Sequence, residues 1–530
     1  MHKARQSLRG MVTSPHHLAS EAGLRILRAG GNAVEAAIST AAVLAVIYPH
    51  MNGIGGDSFW LVAEPGRMPV AVRAAGFSGE SVDAALFAKA GLDAVPVRGP
   101  LAATTVAGTI AGWSAMLDLA GSWGKPLGLE PLLEEAIHHA EAGYPVTAFQ
   151  AEVSGTHLHL LADLPGFADA FLADRGPTPQ GTILKQPALG RTLRSLAGDG
   201  LDGFYRGRLA AAIAADLERQ GSPLTAADLA AYRATRTEAL THQLRNGIRL
   251  HNHPPPSQGL ASLIILALFE RLGVGEDEGF SHIHGLIEAT KKAFAVRDAV
   301  ITDPARMTAH PAAYLDAAWL DREASSIDPC HAASWEAKPA GGDTVWFGVV
   351  DAAGRAVSAI QSVYLKFGSG IVLPETGILW QNRGAAFELD PLSPRFVGPR
   401  RQPFHTLNPA MADFPDGRRM VYGSMGGDGQ PQFQAALFTR YAFFGRELQD
   451  AVSAPRWLLA RRFAADATEV HIEDRFPSAV IDALRAAGHQ VALAPPVTSQ
   501  MGHAGAIVRH HSGLLDGAAD PRSDGAAAGF

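Results

Sequence analysis

The sequence predicts an α/β protein built as a four-layer αββα sandwich, with helices on both outer faces of two packed sheets. Three observations point to this fold class. The chain has 530 residues, 47% of them hydrophobic, which suits a large buried core. Helical patterns dominate between about residues 105 and 240, and alternating strand patterns dominate after residue 344. Length alone also allows several domains, but large α/β enzymes of this size can fold as one unit.

Two helices are predicted near the start of the chain. The stretch 20–30 is typical of a short helix with Ser20 as its N-cap and Gly30 as its stop. Asn32 is a second N-cap, and the helix that follows over 33–47 is apolar on nearly every side, so we expect it to be buried. Further predicted elements are a glycine-rich loop at 48–57, a helix cap at 225–228, strands at 59–62, 70–73, 247–250, 491–493 and 504–509, helices at 260–272, 282–296, 432–444 and 478–487, and a tail at 523–529.

Thr344 lies at the most informative junction of the chain. It opens an alternating strand over 344–350, and the preceding stretch, 301–343, has several Pro and Gly residues and little periodicity, so we expect a mobile connection there. Cutting the chain between Asp343 and Thr344 would free an α-amine, whose ordinary pKa of roughly 7.7–8.0 lets it act as base for the Thr344 hydroxyl. An N-terminal-nucleophile hydrolase needs such a residue, although a plain turn and strand start show the same pattern.

Composition and charge exclude several classes of function. The 45 Lys and Arg residues against 52 Asp and Glu residues give a net charge of −7 without a long basic run, so we expect no nucleic-acid partner. Cys330 is the single cysteine, which excludes an intrachain disulfide. Residues 1–10 have no apolar signal-peptide core, and the longest apolar stretch, 36–47, is too short to span a bilayer. We therefore expect a cytoplasmic protein without a membrane partner.

The histidines do not form a convincing metal-binding pattern. His16-His17 and His138-His139 are adjacent pairs, and adjacent side chains point apart on a helix. His251 and His253, beside a proline-rich loop, are more typical of a structural role than of a ligand set. No metal and no cofactor are expected.

Short motifs along almost the whole chain carry a family resemblance. They are Ala29-Gly-Gly-Asn-Ala-Val-Glu-Ala36, Gly53-Ile-Gly-Gly56, Gly108-Thr-Ile-Ala-Gly112, Leu224-Thr-Ala-Ala-Asp-Leu229, Pro254-Pro-Pro-Ser-Gln-Gly259, Phe367-Gly-Ser-Gly370, Leu407-Asn-Pro-Ala410, Gly423-Ser-Met-Gly-Gly427 and Ala519-Asp-Pro-Arg-Ser523. In this order they resemble the γ-glutamyltransferase family of N-terminal-nucleophile hydrolases. The resemblance implies an αββα sandwich cut autocatalytically into a large fragment, 1–343, and a small fragment, 344–530, that stay together as a heterodimer. It leaves open whether two such heterodimers pair.

The same resemblance assigns the catalytic residues. Thr344 falls on the nucleophile of the family, which attacks an amide carbonyl and forms an ester acyl-enzyme that water resolves. Gly426 and Gly427 match the backbone oxyanion hole, where glycine allows close approach of N–H groups. Ser362 lies at the position of a threonine whose hydroxyl contacts the nucleophile.

The substrate-binding positions differ from those of the glutamyl enzymes. Arg73 lands on the arginine that grips the substrate carboxylate, and His405-Thr406 replaces a pair of serines that also bind it. The residues that hold the α-ammonium, an Asn, a Gln or Glu, and an Asp, correspond here to Tyr364, Arg383 and Ala386. The resemblance therefore implies a small amide substrate with a carboxylate but without an α-ammonium.

Within the family, three segments are similar to the branch that hydrolyses oxamate in bacterial purine-ureide catabolism. They are Gly342-Asp-Thr-Val345, Trp380-Gln-Asn-Arg383 and Pro403-Phe-His-Thr-Leu407. The implied reaction converts oxamate and water to oxalate and ammonia. A γ-glutamyltransferase or glutathione hydrolase, a glutaryl-type (cephalosporin) acylase with a longer pocket, and an uncut anion-binding protein remain as alternatives. We identify no acceptor site, so we expect hydrolysis rather than transfer.

Overall fold

A computed structural model describes residues 3–174, 176–335, 342–461 and 468–530. The α-helices are α1 His17–Arg28, α2 Ala33–Ile47, α3 Ala84–Lys89, α4 Thr109–Ala120, α5 Leu129–Ala142, α6 Ala148–Leu161, α7 Phe167–Phe171, α8 Pro187–Asp199, α9 Arg208–Arg219, α10 Ala226–Ala231, α11 Gly259–Leu272, α12 Phe280–Val300, α13 Ala317–Ser325, α14 Gly429–Phe438, α15 Leu448–Ser453 and α16 Ser478–Ala486. A π-helical turn at Thr439–Phe443 continues α14. Short 3-10 turns lie at Pro100–Ala102, Leu201–Phe204, Pro304–Arg306, Pro311–Leu315, Arg383–Ala386 and Ser499–Met501.

The strands alternate with these helices along the chain. They are β1 Arg5–Ser7, β2 Gly10–Ser14, β3 Asp57–Ala63, β4 Val70–Ala74, β5 Tyr144–Pro145, β6 Ile183–Leu184, β7 Thr235–Glu238, β8 Leu240–Gln243, β9 Arg249–Asn252, β10 Asp343–Asp351, β11 Ala356–Tyr364, β12 Ala410–Asp413, β13 Arg419–Ser424, β14 Trp457–Arg461, β15 Thr468–Glu473, β16 Val491–Ala494, β17 Ala504–Arg509, β18 Leu515–Ala519 and β19 Ala526–Gly529.

Two seven-stranded sheets form the centre of the molecule. The first has the order β19-β2-β10-β11-β3-β4-β7, and the second has the order β1-β18-β17-β13-β12-β9-β8. Strands β10 and β11 pack against β13 of the facing sheet, while α2 and α4 cover the outer face of the first sheet and α11 and α14 that of the second. The architecture is therefore the predicted αββα sandwich.

The second helix is the centre of the larger hydrophobic core. Every residue of α2 is buried, because outer helices cover the side that faces away from the sheet. The Asn32 side chain accepts hydrogen bonds from the backbone N–H groups of Val34 and Glu35, and the Glu35 carboxylate accepts one from Asn32 N at 2.9 Å. Both the cap and the burial of this helix are confirmed.

The predicted start of the first helix and the predicted C-terminal tail were both wrong. Helix α1 begins at His17 with His16 as N-cap, whereas Ser20 lies inside it and donates its hydroxyl to Ala526 O at 2.7 Å. The predicted tail contains β19, which pairs with β2 at the edge of the first sheet. Its small residues carry no apolar period, so only the pairing with a distant strand reveals it.

The stretch predicted as a mobile connection is partly helical. Helix α13 forms there because the Asp316 side chain caps it, accepting hydrogen bonds from Ala318 N and Trp319 N. The part of that prediction that concerns 336–341 lies outside the described residues. Within the described ranges, no helix is long and apolar enough to cross a membrane.

Candidate active site

Thr344 lies near the start of β10, in the middle of the first sheet. The pairing of β10 with β11 shifts register between Asp343 and Val345, so Thr344 sits in a β-bulge, a distortion common beside active sites. The Thr344 side chain is buried, and Gln430 Nε2 lies 3.4 Å from its Oγ1. The bulge separates this hydroxyl from the regular alternation of the strand.

Ser362, on the neighbouring strand, contacts the junction that we expect to be cut. Its hydroxyl donates to the carbonyl oxygen of Asp343 and accepts a hydrogen bond from Tyr364 N at 2.7 Å. In this uncut chain the serine therefore holds the carbonyl before Thr344 rather than the Thr344 hydroxyl itself. A donor in this place polarises the carbonyl for attack.

Gly426 and Gly427 form a tight loop between β13 and α14. Gly426 has a φ of +121° and Gly427 a φ of +53°, and a Cβ on Gly426 would lie 2.7 Å from the Phe433 ring, so glycine is required by both conformation and space. Gln258 Nε2 donates to Gly427 O at 2.8 Å and to Thr406 O at 2.8 Å. A buried side chain thus ties this loop to the neighbouring segment.

Arg297 on α12 binds the side-chain amide of Gln258. Its Nη1 donates to Gln258 Oε1 at 3.2 Å and to Asp428 Oδ1 at 2.9 Å. Sequence reasoning missed both Gln258 and Arg297. The available signal for Gln258 was its place in the motif 254–259, whereas the contact of Arg297 depends on tertiary structure alone.

Gly342 closes the site in the uncut chain. A Cβ on this glycine would lie 2.8 Å from Thr406 Oγ1, 3.2 Å from Gly427 Cα and 3.5 Å from the Tyr364 ring. The chain leading to the junction therefore fills the space between these three residues. Two surface clefts of about 890 and 530 Å³ lie elsewhere, and neither is lined by a predicted site residue.

Arg383, His405 and Thr406 form a buried group of hydrogen-bonding side chains. The Arg383 guanidinium stacks on the Tyr364 ring, with its central carbon 3.4 Å from the ring centroid. Among the described residues, the three Arg383 nitrogens, both His405 ring nitrogens and Thr406 Oγ1 have no hydrogen-bond partner. Buried donors without partners are rare in folded proteins, and here they suit an anionic ligand.

Burial and neighbouring charges lower the pKa values of both His405 and Arg383. Burial, together with the charges of Arg383 and Arg73, holds the pKa of His405 well below its ordinary value. Burial also lowers the pKa of Arg383. A neutral imidazole can still donate one hydrogen bond, so an anion here would meet one cation and two neutral donors.

Arg73 and Ala386 occupy the edges of this group. Arg73 is half-buried on β4, opposite Phe59, whose ring lies 4.9 Å from that of His405. Ala386 ends the 3-10 turn that Arg383 begins. The structure brings Thr344, Ser362 and the Gly426-Gly427 loop together with the group of Arg383, His405 and Thr406. Arg73 lies on the neighbouring strand β4, paired with Phe59 of β3.

Asp57 is a carboxylate in this region that sequence reasoning did not assign. It is buried at the start of β3, directly opposite Ser362. Its Oδ1 accepts hydrogen bonds from Gly76 N, Gly108 N and Gln381 Nε2, each at 3.0 Å. Its Oδ2 lies 3.8 Å from His405 Nε2 without a hydrogen-bond partner in the described chain, and burial raises the pKa of Asp57 to about 7. An acidic residue directly after the motif 53–56 was the signal that could have found it.

One cluster of possible metal ligands lies away from these residues. His284, Glu288 and His489 place their ligand atoms within 4.8 Å of one another. Lys291 Nζ, however, lies 2.6 Å from Glu288 Oε1, and His284 is hydrogen-bonded to His489 at 2.9 Å. The polar atoms of this cluster already contact one another and the lysine, and none of the three residues was predicted as a ligand.

A hydroxyl residue that heads a central strand of an αββα sandwich defines the class of N-terminal-nucleophile hydrolases, enzymes that hydrolyse amide bonds. The gamma-glutamyltranspeptidase family model matches residues 19–530, and the chain belongs to that family.

Individual relatives agree with this assignment. The chain is 51% identical to the oxamate amidohydrolase proenzyme of Klebsiella pneumoniae and 40% identical to the glutathione hydrolase-like YwrD proenzyme of Bacillus subtilis, with 100% of both chains covered in each case. The crystal structure of cephalosporin acylase from Bacillus halodurans superposes with a TM-score of 0.91 at 32% identity, covering 100% of this chain and 97% of the other. The predictions of the family, the fold and an amide-hydrolysing enzyme are thereby confirmed.

Proposed function

We propose that this protein is a self-processing amidohydrolase that hydrolyses oxamate to oxalate and ammonia through a Thr344 acyl-enzyme. The supporting observation is the group of buried, unpaired donors on Arg383, His405 and Thr406 close to the Thr344 junction. The relative named for oxamate is similar over the full length of the chain. The pathway we propose is purine-ureide nitrogen catabolism, and its support is the likeness of segments 342–345, 380–383 and 403–407 described above.

Self-cleavage would begin at the Asp343 carbonyl. The Thr344 hydroxyl attacks the carbonyl carbon while Ser362 holds the oxygen, and the C–N bond to Thr344 breaks to leave an ester. Breaking that bond frees the α-amine of Thr344, which keeps the hydroxyl proton. Water then hydrolyses the ester, which releases the Asp343 carboxylate and restores the Thr344 hydroxyl. Departure of Gly342 would open the space between Thr406, Gly427 and Tyr364.

Both fragments would remain together after this cut. In the first sheet, β10 and β11 of the fragment 344–530 lie between β2 and β3 of the fragment 1–343. In the second sheet, β9 of the large fragment pairs with β12 of the small one. Separation would require breaking these strand pairings and dividing the core, so the product of cleavage is a heterodimer.

Turnover reuses the same residues on a substrate amide. The freed α-amine takes the proton of the Thr344 hydroxyl, whose oxygen attacks the amide carbon. Backbone N–H groups of the Gly426-Gly427 loop hold the oxyanion. Gln258 keeps this loop in place by donating a hydrogen bond to the Gly427 carbonyl oxygen. Ammonia leaves with the proton from the amine, and water releases the second product from the ester. Arg383 would hold the carboxylate throughout.

A longer glutaryl-type substrate is the second candidate, since one solved relative is a cephalosporin acylase. The stacked pair of Tyr364 and Arg383 argues against it. Both side chains are buried, and the family resemblance implies that Tyr364 fills space that a longer acyl chain would need. A short substrate such as oxamate fits this arrangement better.

Intact-mass spectrometry combined with a substrate panel tests the proposal. Purified protein should give two fragments divided between Asp343 and Thr344, and should release ammonia from oxamate but no product from γ-glutamyl-anilide or a glutaryl-amide. Thr344→Ala should remain uncut and inactive. Turnover of a γ-glutamyl or glutaryl amide instead of oxamate would refute the substrate, and an uncut inactive wild-type chain would refute the mechanism.

A further inference from the structure

The free oxygen of Asp57 is a polar atom that the proposed mechanism does not use. Three donors satisfy Oδ1, which explains how the chain can bury this carboxylate. Oδ2 has no such partner among the described residues, although the side chain is only 1% exposed. Because a buried carboxylate oxygen without a donor is costly, this atom is expected to meet a ligand.

The surroundings of Asp57 place that oxygen in the substrate region. His405 Nε2 lies 3.8 Å from Oδ2, and strand pairing puts Asp57 opposite Ser362, which contacts the Thr344 junction. Burial raises the pKa of Asp57, and the positive charge of Arg383 lowers it and partly offsets the effect of burial. Asp57 therefore neighbours both His405 and Ser362, so both ends of a ligand as short as oxamate would lie near its negative charge.

We propose that Asp57 is a specificity-determining residue that makes the pocket accept singly charged amides and reject doubly charged acids. The identity of the two ligands rests on the proposed oxamate hydrolysis. In that reaction the neutral amide end of the substrate becomes a second carboxylate. The substrate therefore carries one negative charge and the organic product two.

Hydrolysis replaces the amide nitrogen of the substrate with a second carboxylate oxygen, and these two groups differ in what they offer Asp57. A carboxylate oxygen accepts hydrogen bonds, so Oδ2 can accept one from the N–H of a substrate amide. It cannot accept one from an ionised acid, and the two like charges repel across a short distance in a buried site. Asp57 thus favours binding of the amide and release of the acid.

An isosteric substitution separates this role from a structural one. Asp57→Asn keeps an acceptor for Gly76, Gly108 and Gln381 but removes the charge, and Asp57→Ser removes the charge with a smaller side chain. Asp228→Asn is the matched control, because Asp228 is also a buried carboxylate that accepts backbone N–H groups, at the cap of α10. Each variant is examined as the processed protein.

Isothermal titration calorimetry with oxalate and pyruvate measures the charge preference directly. Pyruvate has one negative charge and a methyl group in place of the oxamate nitrogen, so neither probe is hydrolysed. We expect both Asp57 variants to bind oxalate at least about tenfold more tightly relative to pyruvate than the wild type does, since the lost repulsion involves two nearby unit charges. Asp228→Asn should keep the wild-type ratio.

Two results of the titration would overturn the inference. An unchanged ratio would assign Asp57 a purely structural role, and equal tightening of both probes would show a general electrostatic effect. Failure of the wild type to release ammonia from oxamate would refute the proposed function alone, because the binding ratio does not depend on turnover.

Discussion

Gly342→Ala should slow self-cleavage while leaving turnover by the cut enzyme unchanged. The added Cβ would lie 2.8 Å from Thr406 Oγ1 and 3.2 Å from Gly427 Cα, both closer than ordinary contact. Gly342 also has a φ of +155°, a conformation that residues with a Cβ rarely adopt. The chain must therefore move away from its place beside the junction or accept strain there.

The magnitude follows from the cost of that strain. Residues held in sparsely populated backbone conformations cost about 1–3 kcal/mol, which corresponds to a rate about 5- to 150-fold lower if the strained geometry is the one that cleaves. Residue 342 leaves the site once the chain is cut. The expected kcat and KM of the cut fraction are therefore those of the wild type.

A time course of intact mass after purification measures the cut fraction, and ammonia release per cut molecule measures turnover. Gly155→Ala on α6 is the matched control, because a Cβ there meets no neighbouring atom within 4 Å. Cleavage of Gly342→Ala at the wild-type rate would refute the contact on which the reasoning depends. Reduced turnover per cut molecule would show that residue 342 acts after cleavage as well.

Two further predictions concern turnover and a third concerns the binding of oxalate. Arg383→Gln should raise KM for oxamate about 10- to 100-fold with a smaller effect on kcat, because a hydrogen bond to a charged group contributes about 1.5–3 kcal/mol; an unchanged KM in steady-state ammonia assays would exclude Arg383 from binding. Gln258→Ala should lower kcat about tenfold or more, because the Gly427 carbonyl loses its anchor; a change in KM alone would contradict that role. Burial raises the pKa of Asp57 to about 7, so the carboxylate is charged above that pH and neutral below it. The difference in oxalate affinity between wild type and Asp57→Asn should therefore be large at pH 8.5 and small at pH 5.5. The other titratable groups around Asp57 keep their charge state between pH 5.5 and 8.5. Burial lowers the pKa values of His405 and His253 and raises those of Tyr205 and Tyr232, so all four side chains stay neutral. Arg73 and Arg383 stay charged. A difference independent of pH would refute the charge of Asp57 as its cause.

Local sequence signals predicted the elements whose stability is local. The Asn32 cap and the apolar helix after it needed only neighbouring residues, and so did the capping box at Thr225. The strand β19 was missed because it pairs with β2, hundreds of positions away. The start of α1 was misplaced because Ser20, a residue typical of N-caps, instead donates its hydroxyl to the distant Ala526 carbonyl, while His16 caps the helix. Long-range pairing leaves no periodic trace in either segment.

The sequence by itself determined the fold class, the family and the candidate residues Thr344, Ser362 and Arg383, because these depend on residue types at spaced positions. Tertiary structure alone decided how the candidates meet: Ser362 on the Asp343 carbonyl, Gln258 beneath the Gly427 loop, and Asp57 facing His405. The physical reason is that a site between two sheets is built from strands distant in the chain. Which donors remain unpaired there, and which charge faces them, follows only from packing.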